Sequence, residues 1–216
     1  MNRSFTNMML GRPAEALSDA RRGNNNPSAP SEKGLFREAR ALYKLGYFDQ
    51  SLERLERLTA SYPENTAARP EIHRVKARLR EQQIGAYSFR QMYRQAQEKP
   101  PLIDGATFSV PVEVRASPGR GNGLFTTIPI SAGQLLLCEK AFGYSHASEG
   151  RPETMALLIN VATKKGVVGG HARLLTLLMQ KMYHDPSART SYHELHHGDH
   201  VVPYASEVDG HPVIDS

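Results

Sequence analysis

A short internal repeat constrains the fold of this 216-residue chain more than any other feature of its sequence. Leu10-Gly11-Arg12, followed by Ala16-Leu17, returns 35 residues later as Leu45-Gly46-Tyr47, followed by Ser51-Leu52. A glycine at this point can adopt the left-handed conformation that ends one helix and starts the turn to the next. Apolar residues then recur at helical spacing, as in Leu52, Leu55 and Leu58. The repeat therefore predicts two helical hairpins.

The two copies resemble the tetratricopeptide repeat family in their pattern of small and large apolar residues around a Leu-Gly turn. The matching segments are NRSFTNMMLGRPAEALSDA and ARALYKLGYFDQSLERLERLTASYPEN. The resemblance implies a helical region over residues 1–100, interrupted by a polar loop at 21–34, that binds a protein or peptide. The first copy starts inside its first helix, so we expect that residues preceding Met1 are missing. Two unrelated helical hairpins are an alternative, because such solenoids usually need three or more repeats.

Charge is unevenly distributed along the chain, which has a formal net charge of +5. Residues 1–105 carry 18 Lys and Arg against 12 Asp and Glu, whereas residues 106–216 carry 9 against 10. In the basic half, Arg and Lys are interleaved with Glu at helical spacings, and no aromatic platforms lie between them. This pattern favours solvated helix faces over nucleic-acid binding.

The sequence also limits the cellular setting. No run of 18 apolar residues occurs, and the N-terminal segment MNRSFTNMML lacks the features of a signal peptide. The single cysteine, Cys138, can form neither an intramolecular disulfide nor a cysteine-rich zinc module. We therefore expect no membrane partner, and a location in the nucleus or cytoplasm rather than secretion.

From Phe108 onward the hydrophobic period changes from that of a helix to that of a strand. Val110, Val112 and Val114 alternate with polar residues, and two further short apolar segments, 124–127 and 134–139, follow. Between the first two strands lies a glycine loop at 117–124. Its glycines allow backbone N–H groups to approach a small anionic ligand, and Arg120 adds positive charge. A glycine-rich hairpin turn without a ligand is the alternative interpretation.

The segment VEVRASPGRGNGLFTTIPISAGQLLLCEKAF resembles the first three strands of SET-domain lysine methyltransferases. More narrowly, it is similar to fungal proteins, related to the SET-and-MYND group, that place a SET domain after tetratricopeptide helices. The resemblance implies an α+β fold in which 106–216 form the N-terminal part of a SET domain. It also implies that Arg120, Gly121, Asn122 and Gly123 bind S-adenosylmethionine, whereas Glu139 and Phe142 are structural.

Downstream, ETMALLINVATKK and HARLLTLLMQKMYHDPSARTSYHELHHG keep apolar faces at helical spacing and predict helices. The resemblance makes them the helical insertion of a SET domain, at 152–198. The family places an Asn-His-Ser strand and a tyrosine near the methyl-transfer point in its second half, and no Asn-His-Ser tripeptide occurs here. We therefore assign no catalytic residue, and we expect this chain alone to transfer no methyl group.

Two other functions compete with this interpretation. The first is a non-enzymatic interaction protein, in which the helices bind a partner and the SET-like segment is scaffold. The second is a zinc peptidase, because His193-Glu194-Leu195-His196-His197 is a literal His-Glu-x-x-His motif. A helix with Asp185 as its N-cap and Gly198 after its end would carry that motif. The polar residues that precede it and the lack of a clear third ligand argue against a catalytic metal, so we assign no metal site.

Overall fold

The computed structural model describes residues 2–24, 30–146, 156–161, 164–195, 198, 207–208 and 211–212. The helices are α1 (Asn2–Met9), α2 (Pro13–Gly23), α3 (Glu32–Leu45), α4 (Phe48–Ser61), α5 (Ala68–Ile84), α6 (Phe89–Ala96), α7 (Gly170–His184) and α8 (Pro186–His193). The strands are β1 (Val112–Ser117), β2 (Gly121–Thr126), β3 (Ala156–Asn160), β4 (Lys165–Gly169), β5 (Glu207–Val208) and β6 (His211–Pro212), paired in sequence order as three antiparallel hairpins. The predicted α+β fold class is confirmed.

Helices α1 to α4 form the two helical hairpins that the repeat predicts. Gly11 and Gly46 have φ angles of 71° and 83°, so each glycine turns the chain in the left-handed region. After α3, the Tyr47 N–H donates to Leu42 O at 3.0 Å, which closes the helix end. Both ends of the polar loop expected at 21–34 are helical, because α2 runs to Gly23 and α3 begins at Glu32, where the Ser31 side chain caps it.

Both hairpins contain a buried hydrogen bond from a serine on one helix to an alanine carbonyl on the other. The serine lies on the first helix of one hairpin and on the second helix of the other. In the first, Ser4 Oγ on α1 donates to Ala16 O on α2 at 2.8 Å. In the second, Ser51 Oγ on α4 donates to Ala39 O on α3, also at 2.8 Å. Positions 4 and 39, like positions 16 and 51, are 35 residues apart, and all four residues are buried. Residues at corresponding positions of the repeat therefore make the same contact between the two helices of each hairpin.

An ion pair also joins the two helices of each hairpin, with the arginine on the first helix in one hairpin and on the second helix in the other. Arg3 Nε on α1 donates to both carboxylate oxygens of Asp19 on α2 at 2.9 Å. Thirty-five residues later, Glu38 on α3 accepts from Arg54 Nε on α4 at 3.2 Å. The charge signs are reversed while the positions correspond. This second correspondence makes two unrelated helical hairpins a poor description of α1 to α4.

The Ser51→Ala variant is expected to lower the free energy of unfolding by about 1 kcal/mol, because a buried hydrogen bond is lost and Ala39 O keeps no side-chain donor. Circular dichroism during urea denaturation measures the change, with Ser61→Ala at the exposed end of α4 as control. Exchange of both residues, in Ala39→Ser/Ser51→Ala, copies the first hairpin and should recover most of the loss. A double variant less stable than Ser51→Ala would contradict the equivalence.

The chain divides into two compact units, Met1–Lys140 and Ala141–Ser216. The core of the first unit lies between α3, α4 and α5, and it includes Leu35, Leu55, Leu58, Val75 and Ala106. Ala106 lies after the predicted domain boundary at about residue 100, so the segment that follows α6 packs with the helices. Among the described residues, no helix has both the length and the apolar character needed to cross a bilayer.

The strand predictions for 108–139 are partly correct. Two of the expected strands form the β1–β2 hairpin, whereas the third, 134–139, is no strand. It makes a single antiparallel bridge, in which Phe108 N–H donates to Cys138 O at 2.8 Å and Cys138 N–H donates to Phe108 O at 2.9 Å. Leu136 and Leu137 are exposed beside it, and among the described residues this segment has no neighbouring strand with which to form a ladder.

The helix predicted from ETMALLINVATKK is wrong, because residues 156–160 form strand β3. Leu157, Leu158 and Val161 match helical spacing, but the same segment pairs antiparallel with Lys165–Gly169, and Leu157 lies opposite Val168. The second predicted helix is confirmed with one break: Asp185 ends α7 and caps α8, accepting from the Ser187 and Ala188 N–H groups. The described residues of the range 152–198 therefore form two paired strands followed by two helices.

Candidate functional site

The β1–β2 hairpin contains the residues predicted to bind a cofactor. Its strands pair from Val112 opposite Thr126 to Ser117 opposite Gly121. The turn between them is closed by a hydrogen bond from Arg120 N–H to Ser117 O at 2.9 Å. Pro118 and Gly119, whose φ is 73°, occupy the central positions, as a type II turn requires. The glycine-rich sequence thus makes a tight turn of three residues.

The structure places the four predicted residues on the turn and on one end of β2. Arg120 is the last residue of the turn, whereas Gly121, Asn122 and Gly123 belong to the strand. The loop predicted at 117–124 is therefore mostly strand, because Gly121 and Gly123 pair with β1. Arg120, Gly121 and Asn122 are exposed and Gly123 is half-buried.

One face of the hairpin is organised around a phenylalanine. The Phe125 ring lies over Gly123, where a Cβ would be only 2.9 Å from ring atom Cε2. The Arg115 guanidinium lies above the same ring, 4.7 Å from its centroid, and Arg115 Nε donates to Glu113 at 2.9 Å. Gly123 is thus required for the close approach of the ring to the strand.

Strand β2 keeps one edge open. In the described part of the chain it pairs only with β1, so backbone N–H and C=O groups along its other edge are available to a ligand or to another strand. Arg120 has no ion pair among the described residues, and Gly121 has no neighbour within 4 Å of the position of a Cβ. An exposed guanidinium beside side-chain-free backbone suits a ligand that carries a carboxylate.

The segment that leads to the hairpin is held on the helices by Asp104. Its carboxylate accepts from the Tyr43 hydroxyl at 2.8 and 2.9 Å and from Arg74 Nε at 2.7 Å, and Arg78 Nη1 lies 3.2 Å away. Burial acts to raise the pKa of the Asp104 carboxyl, but the hydrogen bonds from Arg74 and Tyr43 outweigh it and lower the pKa below its ordinary value. Ionised Asp104 therefore stabilises the fold at neutral pH, and this contribution is lost as the pH falls below about 4.

A second set of contacts continues along the same segment. Arg78 Nη2 donates to Glu81 at 2.6 Å, and Arg78 Nη1 donates to Asp104 O. The other Glu81 oxygen accepts from the Ala106 N–H at 2.9 Å, while the Tyr87 hydroxyl donates to Ala106 O at 2.7 Å. The backbone of residues 104–106 is thus bound on both sides by side chains from α5 and the turn after it.

No local sequence pattern identifies this network. The prolines and glycine of EKPPLIDG predict only a helix break, and the local pattern places Arg78 and Glu81 on a charged helix face. Only their spacing of three residues, typical of a helical ion pair, points to an interaction. Nothing in the local pattern shows that the pair is buried, with side chains 5% and 7% exposed.

Of the described residues of the zinc-peptidase motif, only His193 lies within helix α8. Helix α8 ends at His193, Glu194 is its C-cap, and Leu195 lies beyond it. The predicted partner histidine, His197, lies outside the described residues. Within the described ranges, no three His, Cys, Asp or Glu side chains are grouped so that they could hold a metal ion.

A cleft of about 240 Å³ lies between α2, α3 and α4. Its walls include Arg21, Arg54 and Arg57, and Glu38 lies among them. Arg54 is already bound to Glu38 and to Glu53, at 3.2 and 2.9 Å. The cleft is therefore a partly neutralised basic surface on the helical hairpins, formed by residues other than those of the β1–β2 hairpin.

Comparisons with known proteins give one informative similarity. The chain is 57% identical over 217 aligned residues to a protein of Gibberella zeae named "Methyltransferase". The alignment covers all of this chain and 30% of that protein, so the chain spans less than a third of the relative's length. No protein-family model matches the chain. No solved structure matches it either.

Proposed function

We propose that this chain is part of a SET-type protein-lysine methyltransferase that uses S-adenosylmethionine, and that its helices form a protein-binding arm. The observation that carries the proposal is the similarity, along the whole chain, to a protein named as a methyltransferase. The β1–β2 hairpin supports it, because the glycines that resemble the SET cofactor loop lie on an exposed strand end. The repeated hairpins α1 to α4 support a tetratricopeptide-like arm.

The residues of the hairpin fit the methionine end of the cofactor, which carries a carboxylate and an ammonium group. Arg120 would pair with the carboxylate, and the methionine part would lie against the backbone at Gly121, where no side chain obstructs it, because the Phe125 ring covers one side of Gly123. When bound, S-adenosylmethionine supplies an electrophilic methyl group on its sulfonium sulfur. The lysine amine that accepts this methyl must be deprotonated and aligned with the C–S bond. No residue of this chain is assigned to that step.

Cofactor affinity tests the proposal. Isothermal titration calorimetry of the 216-residue chain with S-adenosylmethionine is expected to show binding, and Gly121→Val is expected to weaken it about tenfold or more. Valine at a φ of 77° is strained, and its side chain would occupy the open space beside the Gly121 backbone. Arg120→Ala, which leaves the backbone unstrained, should also weaken binding, because a charge-assisted contact is lost.

Gly133→Val is the matched control. Gly133 also has a positive φ, of 82°, and no neighbour within 4 Å of its Cβ position, but it lies outside the hairpin. Its substitution should leave cofactor affinity unchanged, while circular dichroism reports whether each variant keeps its helices. If the chain binds no cofactor at millimolar concentration, or if Gly121→Val and Gly133→Val act equally, the hairpin is not a cofactor site. The non-enzymatic interaction protein would then be the better description.

A further inference from the structure

Among the described residues of the first unit, helix α6 has contacts along one side only. Gln95 Oε1 accepts from the Asp104 N–H at 3.1 Å, and Met92 is half-buried on a neighbouring position of the helix. The Ser88 side chain caps the N-terminus by accepting from the Gln91 N–H. Yet none of the eight residues of α6 is fully buried. The contacts orient the helix and leave most of its circumference in solvent.

The free side of α6 combines aromatic and basic residues. Phe89 and Tyr93, one turn apart, are 64% and 70% exposed. Arg90 and Arg94, the next residues along, occupy the adjacent column and have no ion pair among the described residues. From Ile84 to Gln97 the sequence contains no Asp or Glu. The uncovered face is therefore an apolar stripe with uncompensated positive charge along one side.

We infer that this face of α6 binds an acidic amphipathic segment of a partner protein. Apolar side chains of the partner would cover Phe89 and Tyr93, and its Asp or Glu residues would pair with Arg90 and Arg94. Aromatic residues and arginine are the side chains that contribute most at protein interfaces, and rim charges select the sign of the partner. A nucleic acid fits the charge less well, because stacking needs a succession of aromatic platforms along a basic groove.

This inference specifies the partner of the proposed protein-binding arm and does not depend on the methyltransferase assignment. Its test involves no cofactor, so either proposal can fail without the other. The chain contains no tryptophan, and Tyr93→Trp therefore supplies a single fluorescent reporter on the surface itself. The probe is a synthetic peptide of about 18 residues with leucines at helical spacing and glutamates between them. Binding should shift the tryptophan emission to shorter wavelength, and added salt should weaken it.

Charge reversal then tests the contact. In the Tyr93→Trp reporter background, Arg90→Glu/Arg94→Glu is expected to weaken binding of the acidic peptide at least tenfold and to favour a matching peptide with lysines in place of glutamates. Arg69→Glu/Arg80→Glu, on exposed positions of α5, makes the same change in net charge and should alter affinity less than twofold. Because all four positions are exposed, the fold should survive in both variants.

Several results would overturn the inference. Failure of the acidic peptide to bind would contradict the inference. Equal weakening of peptide binding by the two charge-reversal pairs would indicate a general charge effect. Displacement of the peptide by a single-stranded oligonucleotide at equal concentration would favour a nucleic acid as the ligand of this face. Sedimentation of the chain without the Tyr93→Trp substitution could also show a dimer. If Phe89→Ser/Tyr93→Ser dissociated that dimer, a second copy of the chain would be the occupant of this face.

Discussion

Replacement of Arg78 by methionine is expected to lower the free energy of unfolding of the first unit by about 3 to 5 kcal/mol. Its side chain is 5% exposed, and it is bound to Glu81 at 2.6 Å and to the backbone and carboxylate of Asp104. Methionine preserves much of the volume but leaves the Glu81 carboxylate buried without its cation. Removal of one partner from a buried ion pair costs far more than the intact pair contributes.

Urea denaturation followed by circular dichroism measures this loss, since α1 to α6 all lie in the first unit. Arg80→Met is the control, because Arg80 is on the same helix and exposed. A second variant separates charge from packing: Arg78→Met/Glu81→Leu removes both charges and should recover part of the stability, although the Ala106 N–H then loses its acceptor. If Arg78→Met lowers the free energy of unfolding no more than Arg80→Met does, the Arg78–Glu81 pair does not hold residues 104–106 on α5.

The same substitution reports on the link between the helices and the hairpin. Residues 104–106 are bound by α5, and Phe108, two residues further, pairs with Cys138 just before β1 begins. In the Arg78→Met variant, the backbone amides of Ala106 and Phe108 should exchange their hydrogens with solvent faster than the backbone amides of α2 do. If the exchange result is as expected, Asp104 and Arg78 would act as positioning residues for the proposed cofactor site, because they hold the segment that precedes β1.

Local signals in the sequence are sufficient for the helical hairpins and the first β-hairpin. Leu-Gly turns and apolar residues at helical spacing predict α1 to α4, and Pro118-Gly119 predicts a turn between two strands. The α8 cap at Asp185 is likewise visible, because Asp followed by Pro is a local signal. These features depend on a few neighbouring residues, which a sequence pattern records directly.

The remaining features depend on contacts between distant residues. The segment 156–160 has leucines that suit either a helix or a strand, and pairing with 165–169 decides between them. Phe108 and Cys138 are far apart in the chain, and so no local pattern distinguishes their single bridge from a full strand. Tyr43 and Asp104 are 61 residues apart, and their hydrogen bond decides which part of the chain covers α3 and α5. For the candidate site, the sequence predicts Arg120, Gly121, Asn122 and Gly123, but it does not predict that the last three of these residues lie in a strand.

Substitution of Gly85 by alanine is expected to destabilise the chain more than the same substitution at Gly46, and the difference isolates one packing contact. Both glycines end a helix at positive φ, 66° and 83°, so alanine is strained by about 1 to 2 kcal/mol at either position. A Cβ on Gly46 would meet nothing within 4 Å. On Gly85 it would lie 3.0 Å from Phe108 Cε1 and 3.2 Å from Leu135 Cδ2, and overpacking of this kind costs about a further 1 to 3 kcal/mol.

The expected loss is therefore about 1 to 2 kcal/mol for Gly46→Ala and about 2 to 5 kcal/mol for Gly85→Ala, both measured by urea denaturation. A truncation partner confirms the cause: Leu135→Ala in the Gly85→Ala background frees space beside the new methyl group, so the double variant should lose less than the sum of the two single losses. Equal losses at Gly85 and Gly46, or strict additivity with Leu135→Ala, would show that Phe108 and Leu135 do not pack against the end of α5.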